Sequence, residues 1–139
     1  MSFREKSAWV SFVTILVVFG IYFWHAVRVL IGSVEFSAVF RVHVGLIAAF
    51  VVLEVVLHIA LTLQAPNEAW TPRDERERLI DMRATRLAFQ VLVVGALAGV
   101  GTIHLTSSLW VVSQVVLFAV VVAELVRFGG QIVYFRRGV

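Results

Sequence analysis

Four apolar stretches, each long enough to cross a lipid bilayer, dominate this sequence. A bilayer core about 30 Å thick is crossed by about 20 helical residues. The first and third stretches contain no Asp, Glu, Lys or Arg, and the second and fourth contain one acidic residue each. We therefore predict four transmembrane spans, at residues 7–27, 42–63, 87–105 and 109–126.

The composition supports a membrane protein. Hydrophobic residues make up 60% of the chain and charged residues 15%, against about 45–50% and about 25% in soluble domains. A chain of 139 residues cannot bury so much apolar surface in its own interior. We predict an all-α fold, a single transmembrane domain over residues 1–139 that forms an antiparallel four-helix bundle. The absence of cysteine excludes disulfides, thiolate metal sites and cysteine nucleophiles.

The basic residues predict the orientation of the bundle. Ten of the twelve lie before the first span, between the second and third, or after the fourth. The positive-inside rule therefore predicts cytoplasmic N- and C-termini and a cytoplasmic loop at residues 64–86. Membrane topology also explains the net charge of +3, so we expect no nucleic acid partner. The ten residues are Arg4, Lys6, Arg73, Arg76, Arg78, Arg83, Arg86, Arg127, Arg136 and Arg137.

The two outer connections differ in length. Residues 28–41 are rather apolar, with a turn expected at Gly32 and Ser33, and we expect this segment to lie in the membrane interface. The connection from Thr106 to Ser108 is very short, which predicts that the third and fourth helices are antiparallel neighbours.

The cytoplasmic loop predicts an extension of the third helix. Residues 64–70 have an irregular pattern, after which Thr71 can cap a helix and Pro72 suits its first turn. An apolar stripe, Ile80, Ala84, Leu87 and Val91, continues into the third span. Expected i,i+4 ion pairs are Arg73 with Glu77 and Asp74 with Arg78.

This mixed-sign segment has two interpretations. It can be a solvated helix extension with internal ion pairs, or a docking surface for a cytoplasmic or membrane protein. Homo-oligomer formation is a further alternative to a heterologous partner. The candidate docking residues are Arg73, Asp74, Glu75, Arg76, Glu77 and Arg78.

The same segment carries a family resemblance. Residues 74–80, Asp-Glu-Arg-Glu-Arg-Leu-Ile, and residues 83–89, Arg-Ala-Thr-Arg-Leu-Ala-Phe, together with the opening at residues 3–9, resemble small bacterial inner-membrane proteins of unknown function. In those proteins an Asp-Glu-Arg-rich stretch leads into a span. The resemblance implies a four-span protein of the bacterial inner membrane and assigns no activity to particular residues.

Ionisable residues inside the spans are candidates for a proton or cation path, because they are costly in lipid. Glu54 and His58 are i,i+4 neighbours, and both lie within about 60° of His43 on one helix face. With Glu124 of the fourth span they could move protons or cations. The alternatives are a hydrogen-bond clamp of Glu54 with His58 or Gln114, and a simple pair of Glu124 with Arg127.

Three histidines near the predicted outer surface are candidate haem or metal ligands. Imidazole suits haem iron, zinc and copper, and His43 could pair with His25 or His104. The alternative is hydrogen bonding to water, backbone or head groups.

Gly95 and Gly99 in the third span stand at i,i+4, a spacing that permits close helix packing. The sequence contains none of the phosphate-loop, zinc-protease or nucleophile-elbow motifs. The leading hypothesis is therefore a non-catalytic accessory, regulatory or assembly protein. The rivals are a small proton- or cation-coupled transporter and a haem or metal redox protein.

Overall fold

The computed structural model describes residues 2–32 and 36–138, excepting the side chains of residues 36–39. In this part of the chain the regular structure is entirely helical, which confirms the all-α class. Four helices, α1, α2, α4 and α5, are long and apolar enough to cross a membrane. The helices are α1 (Phe3–Leu30), α2 (Phe36–Gln64), α3 (Pro66–Trp70), α4 (Glu75–Thr102) and α5 (Leu109–Arg137).

The chain divides into two compact units at Thr71 and Pro72. The first contains α1 and α2, joined at the outer connection, and the short α3. The helices reach further than the sequence suggested, because α1 continues to Leu30 and α2 begins at Phe36. Among the described residues, a turn at Ile31 and Gly32 follows α1, and Gly32 has a φ of 72° that favours glycine. Ser33, the other expected turn residue, lies outside them.

Helices α1 and α2 are antiparallel. Ser7 near the start of α1 contacts His58 near the end of α2, and Tyr22 near the end of α1 lies against His43 near the start of α2. Most apolar side chains of α2, from Val51 to Leu63, face outward. This surface suits lipid, which solvates apolar side chains as well as a protein core does.

The second unit is an antiparallel hairpin of α4 and α5 with small residues along its seam. Ala84 approaches Gly130, and a Cβ atom built on Gly99 would lie 2.7 Å from Cγ2 of Val116. A Cβ atom on Gly95 would overlap the Cβ atom of Ala119. The absence of side chains at these glycines therefore allows the two backbones to approach closely.

The start of α4 differs from the sequence prediction. Asp74, and not Thr71, caps the helix, since its Oδ1 accepts from the backbone N–H of Glu77 at 2.6 Å. The Thr71 hydroxyl instead donates to the carbonyl of Asn67 at 2.6 Å and so belongs to the end of α3. Residues 66–70, expected to be irregular, form α3, because Pro66 suits a first helical turn.

The apolar stripe of α4 also needs a correction. Ile80 and Ala84 are buried, with exposed fractions of 1% and 0%, but Leu87 is 41% exposed. Ala88 occupies the buried position in its place. Because α5 approaches closely, this side of α4 has room for small side chains only, and the seam therefore runs through Ala84, Ala88 and Gly95.

We expect Gly95→Val to destabilise the second hairpin by about 1–3 kcal/mol, as overpacking typically does. The added side chain would collide with Ala119. Gly101→Val is the matched control, since a Cβ atom there meets nothing within 4 Å. Unfolding in detergent, followed by circular dichroism, measures the difference; equal stability of both variants would contradict the described seam.

Candidate functional site

A cluster of four polar side chains joins α1 to α2. Ser7 and Ser11 lie one turn apart on α1 and face Glu54 and His58, one turn apart on α2. The Ser11 hydroxyl donates to Oε2 of Glu54 at 3.1 Å, and Oγ of Ser7 lies 3.0 Å from Nε2 of His58. We call these four residues the α1–α2 polar cluster.

Within this cluster His58 and Glu54 contact each other. Nδ1 of His58 lies 3.1 Å from Oε2 of Glu54 and 2.9 Å from the Glu54 carbonyl oxygen. The second carboxylate oxygen, Oε1 of Glu54, is buried and has no hydrogen-bond partner among the described residues. The sequence placed Glu54 and His58 on one face. It did not identify Ser7 and Ser11, although their i,i+4 spacing on an otherwise apolar helix was a usable signal.

An apolar block separates this cluster from the other end of the hairpin, where Tyr22 lies against His43. Ile15 and Phe19 of α1 are buried, and the ring of Phe19 packs on that of Phe50 with centroids 5.2 Å apart. Beyond Thr14, which is also buried, the described α1–α2 interface as far as Tyr22 therefore offers no continuous row of polar groups for a proton to follow.

Of the three histidines predicted as haem or metal ligands, His43 is the most buried, at 3% exposed. Its ring lies against Tyr22 with centroids 4.2 Å apart, and His25 is close enough to interact with it electrostatically. His104 is exposed and follows α4 in the second unit. The described residues contain no group of three or more His, Asp or Glu side chains able to hold a metal ion. Haem or metal ligation by His25, His43 and His104 stays a prediction.

Glu124 lies in the second unit, where its Oε2 is 3.8 Å from Nη1 of Arg127. Arg127 also approaches Asp81 of α4, with Nη2 3.6 Å from Oδ1. Asp81 accepts from Gln131 at 2.8 Å and from Arg73 at 3.0 Å. Asp81 thus links the segment before α4 and two turns of α5.

Asp81 was absent from the residues selected by sequence. A signal was present, since Asp81 stands about 20° from Ala88 on a helical projection and therefore beside the seam. Its contact with Arg73 replaces the expected Arg73–Glu77 pair. Arg73 precedes α4, and the Asp74 carboxylate accepts from the backbone N–H of Glu77, so among the described residues neither forms the expected i,i+4 side-chain pair.

Several of the candidate docking residues serve the fold of the second hairpin. Arg73 pairs with Asp81, Asp74 caps α4, and Arg76 donates to the carbonyl of Phe135 at 3.4 Å. Glu77 is half-buried. Glu75 and Arg78 are exposed, so the surface available to a partner is smaller than the charged segment.

A different face of α4 is open. Leu79, Met82 and Phe89 are 48%, 60% and 64% exposed, and Arg83 and Arg86 stand between them on the same side. The five residues line a shallow groove together with Asp81 and Thr85. We call Leu79, Met82, Arg83, Arg86 and Phe89 the outer face of α4, because these residues lie on the side of the helix opposite the seam with α5. The name refers to the helix and not to a side of the membrane.

Comparison with known protein families gives a match over nearly the whole chain. The model of a family described as "Predicted membrane protein (DUF2178)" matches residues 4–139. No curated protein and no solved structure matches the chain significantly. The match covers both hairpins, including the α1–α2 polar cluster and the outer face of α4.

Proposed function

The chain belongs to the DUF2178 family of predicted membrane proteins, and we propose that it is a non-catalytic accessory protein that binds a protein partner through the outer face of α4. We further propose that it resides in a bacterial inner membrane with both termini in the cytoplasm. The observation that carries the proposal is the exposure of Leu79 and Met82 beside two arginines.

The height of Leu79, at one end of this face, favours a protein over lipid. Leu79 precedes Leu87, the predicted start of the span, by eight residues, or about 12 Å of helix. The head-group layer on each side of the bilayer is about 5–8 Å thick. On a helix along the membrane normal, Leu79 therefore extends past the head groups into water, where exposed apolar groups favour binding to another protein.

The charge of this face favours a heterologous partner. Arg83 and Arg86 have no carboxylate partner among the described residues. Two copies in the same orientation, related by a two-fold axis along the membrane normal, would set Arg86 against Arg86. We therefore propose a partner with apolar side chains opposite Leu79 and Met82 and carboxylates opposite the two arginines.

The structure gives the transport hypothesis less support than it gives the partner-binding proposal. A transporter site at the midplane needs polar access from both sides, whereas Ile15, Phe19 and Phe50 fill the α1–α2 interface beyond the polar cluster. Glu124, the third candidate of a proton path, contacts Arg127 in the second hairpin.

The proposed topology predicts the labelling of single cysteines in this cysteine-free chain. In intact cells a membrane-impermeant maleimide should label Ser107→Cys, on the outer connection, and should reach Asn67→Cys only after the membrane is disrupted. Both positions are exposed. The reverse pattern would contradict cytoplasmic termini.

Partner binding predicts a site-specific cross-link in cells. A photo-reactive amino acid at Met82 should give one cross-linked product, and Arg83→Glu with Arg86→Glu should remove at least about nine-tenths of it. Like charges set against each other across an interface cost several kcal/mol, and about 1.4 kcal/mol already changes binding tenfold. Once mass spectrometry identifies the cross-linked protein, exchanging its facing carboxylates for lysines should restore the product.

Two controls accompany this experiment. The double variant Arg136→Glu with Arg137→Glu changes the net charge by the same amount at another site and should leave the cross-link intact. The photo-reactive amino acid at Phe118, an exposed apolar position of α5, should give no product that depends on Arg83 and Arg86. A Met82 cross-link that survives reversal of both arginines would contradict the proposed surface.

A further inference from the structure

We propose that Glu54 and His58 form a binding site for one exchangeable proton in the first hairpin, and that this proton sets the strength of the α1–α2 contact. The proposal concerns the α1–α2 polar cluster alone and does not depend on the outer face of α4. It assigns a ligand, the proton, to a pair of ionisable side chains held between two apolar helices.

The contacts of His58 accommodate two protonation states. Nδ1 lies near two acceptors, Oε2 and the carbonyl oxygen of Glu54, so it carries a hydrogen in either state. Nε2 faces the Ser7 hydroxyl at 3.0 Å, and a hydroxyl can donate to a neutral imidazole or accept from an imidazolium. A proton can therefore arrive or leave without a change in the neighbours of the ring.

The carboxylate of Glu54 supplies the reason for a proton to bind. Oε2 accepts from Ser11 and contacts His58, but Oε1 is buried with no hydrogen-bond partner among the described residues. An ionised carboxylate with an unsatisfied oxygen in apolar surroundings is costly. One added proton, held as imidazolium beside carboxylate or as neutral imidazole beside carboxylic acid, removes the net charge of the pair.

The site can exchange with water at one end of the hairpin. The side chain of His58 is 39% exposed and that of Glu54 is 18% exposed. His58 faces Ser7, at the beginning of the predicted first span, and Glu54 lies one turn, about 6 Å, further along α2. A proton from water on this side forms an N–H or O–H bond at the pair and returns to the same water, because the apolar block closes the other direction.

Few other charges act on the pair from the packed elements of this hairpin. On α1, Ser7 and Ser11 face it, and Arg4 stands on the same side one turn before Ser7. The Arg4 guanidinium donates to the carbonyl of Thr71 at 3.4 Å. Glu5 and Lys6 are about 160° and 100° away from Ser7 around the helix axis. The short α3 contributes Glu68, which is exposed.

Proton occupancy changes the bond between the helices. Ser11 donates to a carboxylate when Glu54 is ionised, and hydrogen bonds to ionised acceptors are roughly twice as strong as neutral ones. The Ser11–Glu54 contact is therefore weaker when the proton lies on Glu54. When the proton lies on His58, the imidazolium donates to the Ser7 hydroxyl in a charge-assisted bond, and the Ser7–His58 contact is stronger. A second proton, which leaves imidazolium beside carboxylic acid, removes the charge pairing entirely.

Infrared difference spectroscopy of the full chain in lipid nanodiscs tests the proposal. Acidification should produce a carbonyl band of a protonated carboxylic acid in the wild type. Glu54→Gln should abolish that component, and Ser11→Ala should move it to a different frequency, because the hydrogen bond to the carboxyl group is lost. Glu124→Gln removes the other carboxylate within a span and should leave the component unchanged.

The folded state of each variant is checked by circular dichroism and size exclusion. A component that persists in folded Glu54→Gln overturns the proposal. If Glu54→Gln does not fold, Ser11→Ala provides the test. A carbonyl component at an unchanged frequency in that variant would also overturn the proposal. The variant His58→Gln provides a further test, because it should change the pH at which the carbonyl component appears. The control variant His104→Gln should leave that pH unchanged.

Discussion

The hydrogen-bond chain Ser7–His58–Glu54–Ser11 is the interaction on which the first hairpin depends. Lipid tails are as apolar as the outward side chains of α2, so hydrophobic burial gives α1 and α2 little reason to associate. Polar groups in a bilayer, in contrast, must find partners. Two serines on α1 supply the partners for two ionisable groups on α2, and this pairing fixes the register of the antiparallel helices.

The second hairpin is held differently. Its seam brings Ala84, Gly95 and Gly99 against α5 at distances that leave no room for larger side chains, so van der Waals packing holds the helices along their length. Asp81 then joins Arg73, Arg127 and Gln131 at one end. We propose that this hairpin presents the outer face of α4 to a partner, and that the first hairpin contains a contact that one proton alters.

The sequence predicted most of the fold because apolar length and helical periodicity are local properties. It located all four long helices, the shared face of Glu54 and His58, and the spacing of Gly95 and Gly99. It erred at the start of α4, where Thr71 and Asp74 compete as caps and the outcome depends on the short α3. It could not pair Asp81 with Gln131, fifty residues away, because that contact requires the register of two helices.

The most direct test of this account is the distance between the paired ends of α1 and α2. Spin labels at Lys6→Cys and Leu63→Cys, both exposed, report that distance by double electron–electron resonance in lipid nanodiscs. The account predicts a longer or broader distribution in Ser7→Ala with Ser11→Ala. Ser113→Ala, whose hydroxyl bonds only within its own helix, to the carbonyl of Trp110, should leave the distribution narrow. An unchanged distribution in the double serine variant would contradict the claim that the polar cluster holds these helices together.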